Sequence, residues 1–75
     1  MLGNELEIIR NNIKYYRKEK NFTQEKLSEI SGISKDFLSE IERGKKIPSV
    51  RRLIKIAEAF EIEAYKLLMP RIDVE

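Results

Sequence analysis

The stretch that most constrains this chain is Thr23 to Gly44, TQEKLSEISGISKDFLSEIERG. It reads as two short helices joined at Gly32, each opened by a small hydroxyl residue, Thr23 and Ser34. Such residues cap helix starts by accepting a hydrogen bond from a backbone N–H that has no helical partner. Glycine ends a helix and turns the chain because it adopts the left-handed conformation without a Cβ clash. Two short helices crossing steeply in a chain of 75 residues form a helix-turn-helix, the arrangement with which a small domain pushes its second helix into the DNA major groove.

The flanks supply a scaffold for that pair. A first helix is expected at about 4–20, where Leu2, Leu6, Ile9, Ile13 and Tyr16 are spaced 4, 3, 4 and 3 apart, a single helical stripe. Asn4 is its expected cap, Glu5 and Glu7 suit the positive helix start, and Asn21 closes it as a residue that tolerates the left-handed region. In the second helix, from Thr23, Leu27, Ser28 and Ser31 face inward, the serines being small enough to let another helix approach. The third runs from Ser34 to about Arg43, with Ile33, Leu38 and Ile41 toward the core and Gly44 at its end. Lys45 to Pro48 form a basic loop, and Ser49 caps a fourth helix, Val50 to Phe60, with Val50, Leu53, Ile54, Ala57 and Phe60 on one side. A short fifth helix is expected from Glu63 to Met69, with Leu67 and Leu68 returning to the core and Pro70 stopping it. No segment alternates with the period of two that a strand needs. The expected architecture is all-α, one domain over 1–69 with a short tail over 70–75.

Composition narrows the function. The chain has no cysteine and no histidine, which removes thiolate metal sites, disulfides and the usual acid/base of neutral-pH catalysis. Neither an enzyme nor a metal or other cofactor is expected. Apolar runs reach only three residues, so no membrane span is expected and a cytoplasmic location is the simplest one. Net charge is only +2, but residues 1–55 hold 13 Lys/Arg against 8 Asp/Glu, whereas residues 56–75 hold 2 against 5. A basic front and an acidic tail suit a domain whose front meets a polyanion, although a solvated surface of mixed charge gives the same numbers.

A reading helix exposes its first residues while its apolar side stays in the core. Ser34, Lys35, Asp36, Phe37, Ser39 and Glu40 are the candidates. Lys35 can donate to guanine O6 and N7, and Asp36 and Glu40 can accept from cytosine N4. The two acids also repel phosphate, unless Lys35 or Arg43 pairs with them. Phe37 is placed on the outward side, against a thymine methyl or a sugar, with a core or interface aromatic as the alternative. Phosphate contacts are expected from Gln24 and Lys26 at the start of the second helix and from Arg43, Lys45 and Lys46, the plain alternative for the loop lysines being a solvated turn. Arg17 and Glu42, at the ends of the first and third helices, can form a buried structural ion pair.

The series Arg17…Thr23-Gln24-Glu25-Lys26-Leu27…Gly32-Ile33-Ser34…Leu38-Ser39…Ile41-Glu42-Arg43-Gly44-Lys45…Pro48-Ser49 resembles the Cro/C1-type (XRE) helix-turn-helix family, from about Ile9 to Leu68. The resemblance implies a five-helix, lambda-repressor-like domain that binds operator DNA as a dimer. It implies phosphate contacts by Gln24, Arg43 and Lys45, base contacts by Lys35, Asp36 and Glu40, and an internal Arg17–Glu42 salt bridge. The chain departs from the family pattern at Ser28 and Ser31, where alanine is usual, and at Glu61, where glycine commonly ends the fourth helix. Asp36 and Glu40 are also unusual base readers. In length the chain is similar to restriction–modification controller proteins and small phage repressors. The expected function is a sequence-specific transcriptional regulator, a repressor, binding a palindromic operator in double-stranded DNA as a homodimer. Ile62, Tyr65, Met69 and Ile72 are the candidate interface. The alternative, from another class, is a protein-interaction module such as an antitoxin or adaptor.

Overall fold

Each helix of this protein is started by a side chain or an acidic first turn and stopped by a left-handed residue. The computed structural model describes residues 5–71 and contains α1 (Glu5–Glu19), α2 (Gln24–Ser31), α3 (Lys35–Glu42) and α4 (Val50–Phe60), followed by a 3-10 turn at Ala64–Leu67. Thr23 Oγ1 accepts from the Lys26 N–H at 2.9 Å, Ser34 Oγ from Phe37 N–H at 3.1 Å and Ser49 Oγ from Arg52 N–H at 3.2 Å. Asn21 (φ 60°), Gly32 (φ 78°), Gly44 (φ 76°) and Glu61 (φ 61°) end α1 to α4 in turn. At three of these ends the bond pattern is a Schellman motif, in which the residue after the left-handed one donates back into the last turn. Phe22 N–H donates to Arg17 O, Lys45 N–H to Glu40 O and Ile62 N–H to Ala57 O, at 2.9, 2.8 and 3.0 Å. At α2 the Gly32 N–H donates to Ser28 O, and Ser31 Oγ accepts from Ile33 N–H at 3.2 Å inside the turn. The Ser31 hydroxyl thus satisfies a buried donor that alanine would leave unmet.

The core is one cluster: Ile9 and Ile13 of α1, Leu27 of α2, Ile33, Leu38 and Ile41, then Leu53, Ile56, Ala57 and Phe60 of α4, and Leu67. Phe60 is fully buried, with Tyr16 and Phe22 ring centroids 6.0 and 6.4 Å away. Two sequence expectations are corrected here. The buried side of α4 is Leu53, Ile56, Ala57 and Phe60, an i, i+3, i+4, i+7 set, whereas Val50 and Ile54 are exposed because they lie on the rim of that stripe. The expected fifth helix is a four-residue 3-10 turn that lacks a side-chain cap at Glu63, and of its leucines only Leu67 is buried while Leu68 is exposed. Leu2 and Asn4, expected in the first helix and its cap, lie outside the described residues.

Asn12 holds the 3-10 turn against α1. It is 2% exposed, and its Nδ2 donates to the carbonyls of Leu67 (2.9 Å) and Met69 (2.8 Å), with Lys66 O at 3.3 Å. These carbonyls lie at the end of the short 3-10 turn, which has no further turn to satisfy them. The Arg71 guanidinium then lies 3.3 Å over the Tyr15 ring. Tyr15 Oη donates to Glu19 Oε2 at 3.2 Å, and this bond to a carboxylate raises the phenol pKa above its ordinary value.

Glu42 joins three helices. Its side chain is 5% exposed and accepts from Arg17 Nε at 2.7 Å, Arg17 Nη2 at 3.1 Å and Gln24 Nε2 at 3.1 Å. Arg17 Nη1 also donates to Phe22 O at 2.8 Å, tying the turn after α1 to the same guanidinium. Above this node Arg10 Nη1 reaches Glu42 O at 3.4 Å, and a Cβ at Gly44 would meet Arg10 Cδ at 3.1 Å.

Removing one partner of such a pair strands the other. Glu42→Ala is expected to lower unfolding free energy by about 3 kcal/mol, because the Arg17 guanidinium stays largely enclosed without its carboxylate; urea titration measures it, and an unchanged midpoint would show that water replaces the carboxylate. Glu61→Gly is expected to stabilise by about 1 kcal/mol, a rise of about 4–8 °C in Tm for a domain of this size, since glycine relieves the left-handed strain at φ 61°. A thermal melt followed by circular dichroism reads that shift.

Candidate nucleic-acid interface

At 100° per residue, α3 turns Leu38, Ile41 and Glu42 inward, and all three are buried. Asp36, Ser39, Glu40 and, just past the helix, Arg43 form the opposite strip, with Lys35 and Phe37 on its two flanks. Lys35, Asp36 and Arg43 are exposed, and Ser39 and Glu40 are half-buried. The strip is continuous with the exposed Lys45 and Lys46 of the following loop. Ser34 sits at its head, where its hydroxyl is engaged as the α3 cap.

The two acids are not neutralised from within α3. Glu40 faces Lys46 Nζ at 4.0 Å, a half-exposed pair of small energetic worth. Arg43, expected as a neighbour for the acids, instead directs its Nε to Ser39 O at 3.4 Å. Lys26 lies 3.8 Å from Glu29 on the exposed side of α2.

Two candidates sit differently from the sequence expectation. Phe37 is half-buried against the core cluster, and the Arg52 guanidinium carbon is 4.5 Å above its ring. It is therefore covered on the α4 side and does not stand outward in the strip. Gln24 opens α2 with its amide nitrogen turned to Glu42 Oε1, so it is fastened to the same carboxylate as Arg17. Arg52 escaped the sequence reading because only the apolar side of α4 was drawn there; the available signal was its place three residues after the Ser49 cap, in the first turn of α4. Asn12 escaped for a similar reason, a polar residue adjoining the Ile9–Ile13 stripe.

Among the candidate interface residues, Tyr65 and Met69 are 55% and 52% exposed, next to the equally exposed Leu68. Ile62 is half-buried on its own core, and Ile72 lies outside the described residues. Ile47, Val50 and Ile54 expose a second apolar strip at the start of α4. Among the described residues no three His, Cys, Asp or Glu side chains gather as a metal site requires, and no helix is long and apolar enough to cross a membrane.

Comparison with known proteins places this geometry. A helix-turn-helix family model, HTH_3, matches residues 13–67. The uncharacterized HTH-type transcriptional regulator y4dJ of Sinorhizobium fredii is 35% identical over 63 residues, covering 84% of this chain and 82% of that protein. The control protein C.SmaI of Serratia marcescens is 36% identical over 62 residues, 83% of this chain and 74% of that protein. The crystal structure of the restriction-modification controller protein C.AhdI from Aeromonas hydrophila superposes with a TM-score of 0.82 at 28% identity, covering 87% of this chain and 98% of that one. With more than half its length inside the family model and its helical fold shared with C.AhdI, the chain belongs to the HTH_3 helix-turn-helix family of DNA-binding transcriptional regulators.

Proposed function

We propose that the protein is a sequence-specific repressor that binds a palindromic operator as a homodimer, with α2 and α3 as the helix-turn-helix and α3 in the major groove. The observation that carries this reading is the outward strip of α3, Asp36, Ser39, Glu40 and Arg43 with Lys35 on its flank, mounted on a helix whose inner side is fixed by Leu38, Ile41 and Glu42. In this mode Lys35 donates to a guanine edge and Asp36 and Glu40 accept from cytosine amines. Arg43, Lys45 and Lys46 hold phosphates beside the groove, while Ser34 and Gln24 contact the backbone from the two helix starts. The 1–69 segment is the binding domain and 70–75 its tail.

Dimerisation follows from arithmetic of contacts. One strip of five side chains reads few bases, each mismatch costs only about 1–3 kcal/mol, and a two-fold axis doubles the discrimination. Exposed Tyr65 and Met69, next to Leu68, support an apolar interface at the end of the chain, to which Ile62 adds its exposed edge and Ile72 is assigned.

Selection of sites from random duplex DNA at defined salt tests the whole reading, and a two-fold symmetric consensus with half-sites about one helical turn apart is the expected result. Lys35→Ala is expected to relax the preference at one position in each half-site. Arg43→Ala and Lys45→Ala are expected to weaken all sites alike, each flattening the log–log salt dependence by about 0.9. Met69→Lys is expected to shift the sedimentation coefficient at micromolar protein from dimer to monomer; a variant that stays dimeric would move the interface to the Ile47, Val50 and Ile54 strip.

A further inference from the structure

Helix α4 begins against the electrostatic rule that the other helices obey. Helices α1, α2 and α3 each carry acid in the first turn, Glu5 and Glu7, Glu25, and Asp36. Helix α4 carries none there and has Arg51 and Arg52 instead, both exposed. Cations at a helix N-terminus meet the positive end of the macrodipole and cost stability locally. One of these two arginines is held in place: the Arg52 guanidinium lies 4.5 Å over the Phe37 ring. Phe37 is a flank residue in the first turn of α3, and it also packs against the core cluster.

We propose that Arg52 is a phosphate-binding residue of the DNA interface and that Phe37 is the positioning residue that holds it there. This inference rests on the DNA-binding mode proposed above and adds to it a contact from α4. A guanidinium stacked on an aromatic uses its face and leaves the N–H edge for an acceptor. The stack brings that edge to the border of α3, beside a strip whose own middle is acidic. A phosphate on the strand flanking the groove fits the edge: it is anionic and acceptor-only, and its two non-bridging oxygens can take two parallel N–H bonds from the fork. Because the ring fixes the side chain before DNA arrives, little rotamer freedom is lost on binding. Phe37 therefore acts through Arg52 and not on a base, which accounts for an aromatic at the margin of a reading helix.

The test titrates the folded protein, by fluorescence anisotropy, with the duplex enriched in the random-sequence selection, over a series of KCl concentrations. Arg52→Gln is expected to weaken binding about tenfold, to flatten the log–log salt slope by about 0.9, and to leave the selected consensus unchanged. Phe37→Leu is expected to weaken binding about two- to fivefold when Arg52 is present and to have no further effect in the Arg52→Gln background, whereas Phe37→Tyr keeps wild-type affinity. An unchanged salt slope in Arg52→Gln overturns the phosphate contact, and a changed consensus overturns it in favour of base reading. An equal loss for Phe37→Leu in both backgrounds overturns the positioning role. Arg52→Gln leaves the core untouched, so the slope decides the first point even where Phe37→Leu is too unstable to assay. A wild-type protein that enriches no site overturns the DNA-binding mode itself, and this inference with it.

Discussion

The orientation of α3 depends on one carboxylate. Glu42 receives two hydrogen bonds from Arg17 of α1 and one from Gln24 of α2, at 2.7 to 3.1 Å. Burial of Leu38 and Ile41 is favourable but non-directional, so it specifies the rotation of an eight-residue helix less sharply than a hydrogen bond does. A bidentate arginine fixes the carboxylate plane, and with it the register of the outward strip one helical face away. Replacement of such a node by apolar side chains need not destabilise a fold, so its value here is geometric. Glu42 ties the inner side of α3 to α1 and α2, on the helix that carries Lys35, Asp36 and Glu40.

A second constraint is the length of the elements. Helices of eight to fifteen residues are marginal on their own, so each must be stopped cleanly and packed at once. Left-handed residues at 21, 32, 44 and 61 do this at every junction. The two glycines among them accept positive φ freely, and at Gly44 a Cβ would also crowd the Arg10 side chain. Asn21 is the next most tolerant residue. Glu61 is not, yet its helix still ends there, because Ile62 N–H and Ala57 O close the Schellman bond and Ile62 packs on the core. Tertiary closure has overridden local preference.

Much of this was legible in the sequence for particular reasons. Thr23, Ser34 and Ser49 carry cap chemistry that needs no tertiary context, and the observed α4 has the expected bounds, Val50–Phe60. The left-handed turns at Asn21, Gly32 and Gly44 were likewise readable from residue type. The rest depended on context. Whether Val50 and Ile54 or Ile56 face inward is decided by where α1 and α2 lie, because an apolar stripe wider than the contact leaves its rim exposed. The fifth helix shrank to a 3-10 turn because its first residue brings no cap and the carbonyls of its last turn are bonded by Asn12, a partner 55 residues away from Leu67. The place of Phe37 depends on Arg52, a residue of another helix, lying over its ring.

The charge pattern of the strip bears on how such a domain would discriminate. Lysines and arginines at a DNA surface strengthen binding to every sequence, since phosphate attraction is the same everywhere. Asp36 and Glu40 subtract from that uniform term, and Lys46 offsets only part of the Glu40 charge, from 4.0 Å in high dielectric. In the proposed mode the acids are compensated only where a cytosine amine meets them, so wrong sites lose more than the right one. In that mode the cations beyond the two acids, Arg43 at the end of the strip and Lys45 and Lys46 in the following loop, restore affinity without restoring indifference to sequence. Specificity in the proposed mode is gained by weakening the nonspecific hold, which is what acids in the middle of the strip do while cations at its end and in the following loop supply the grip.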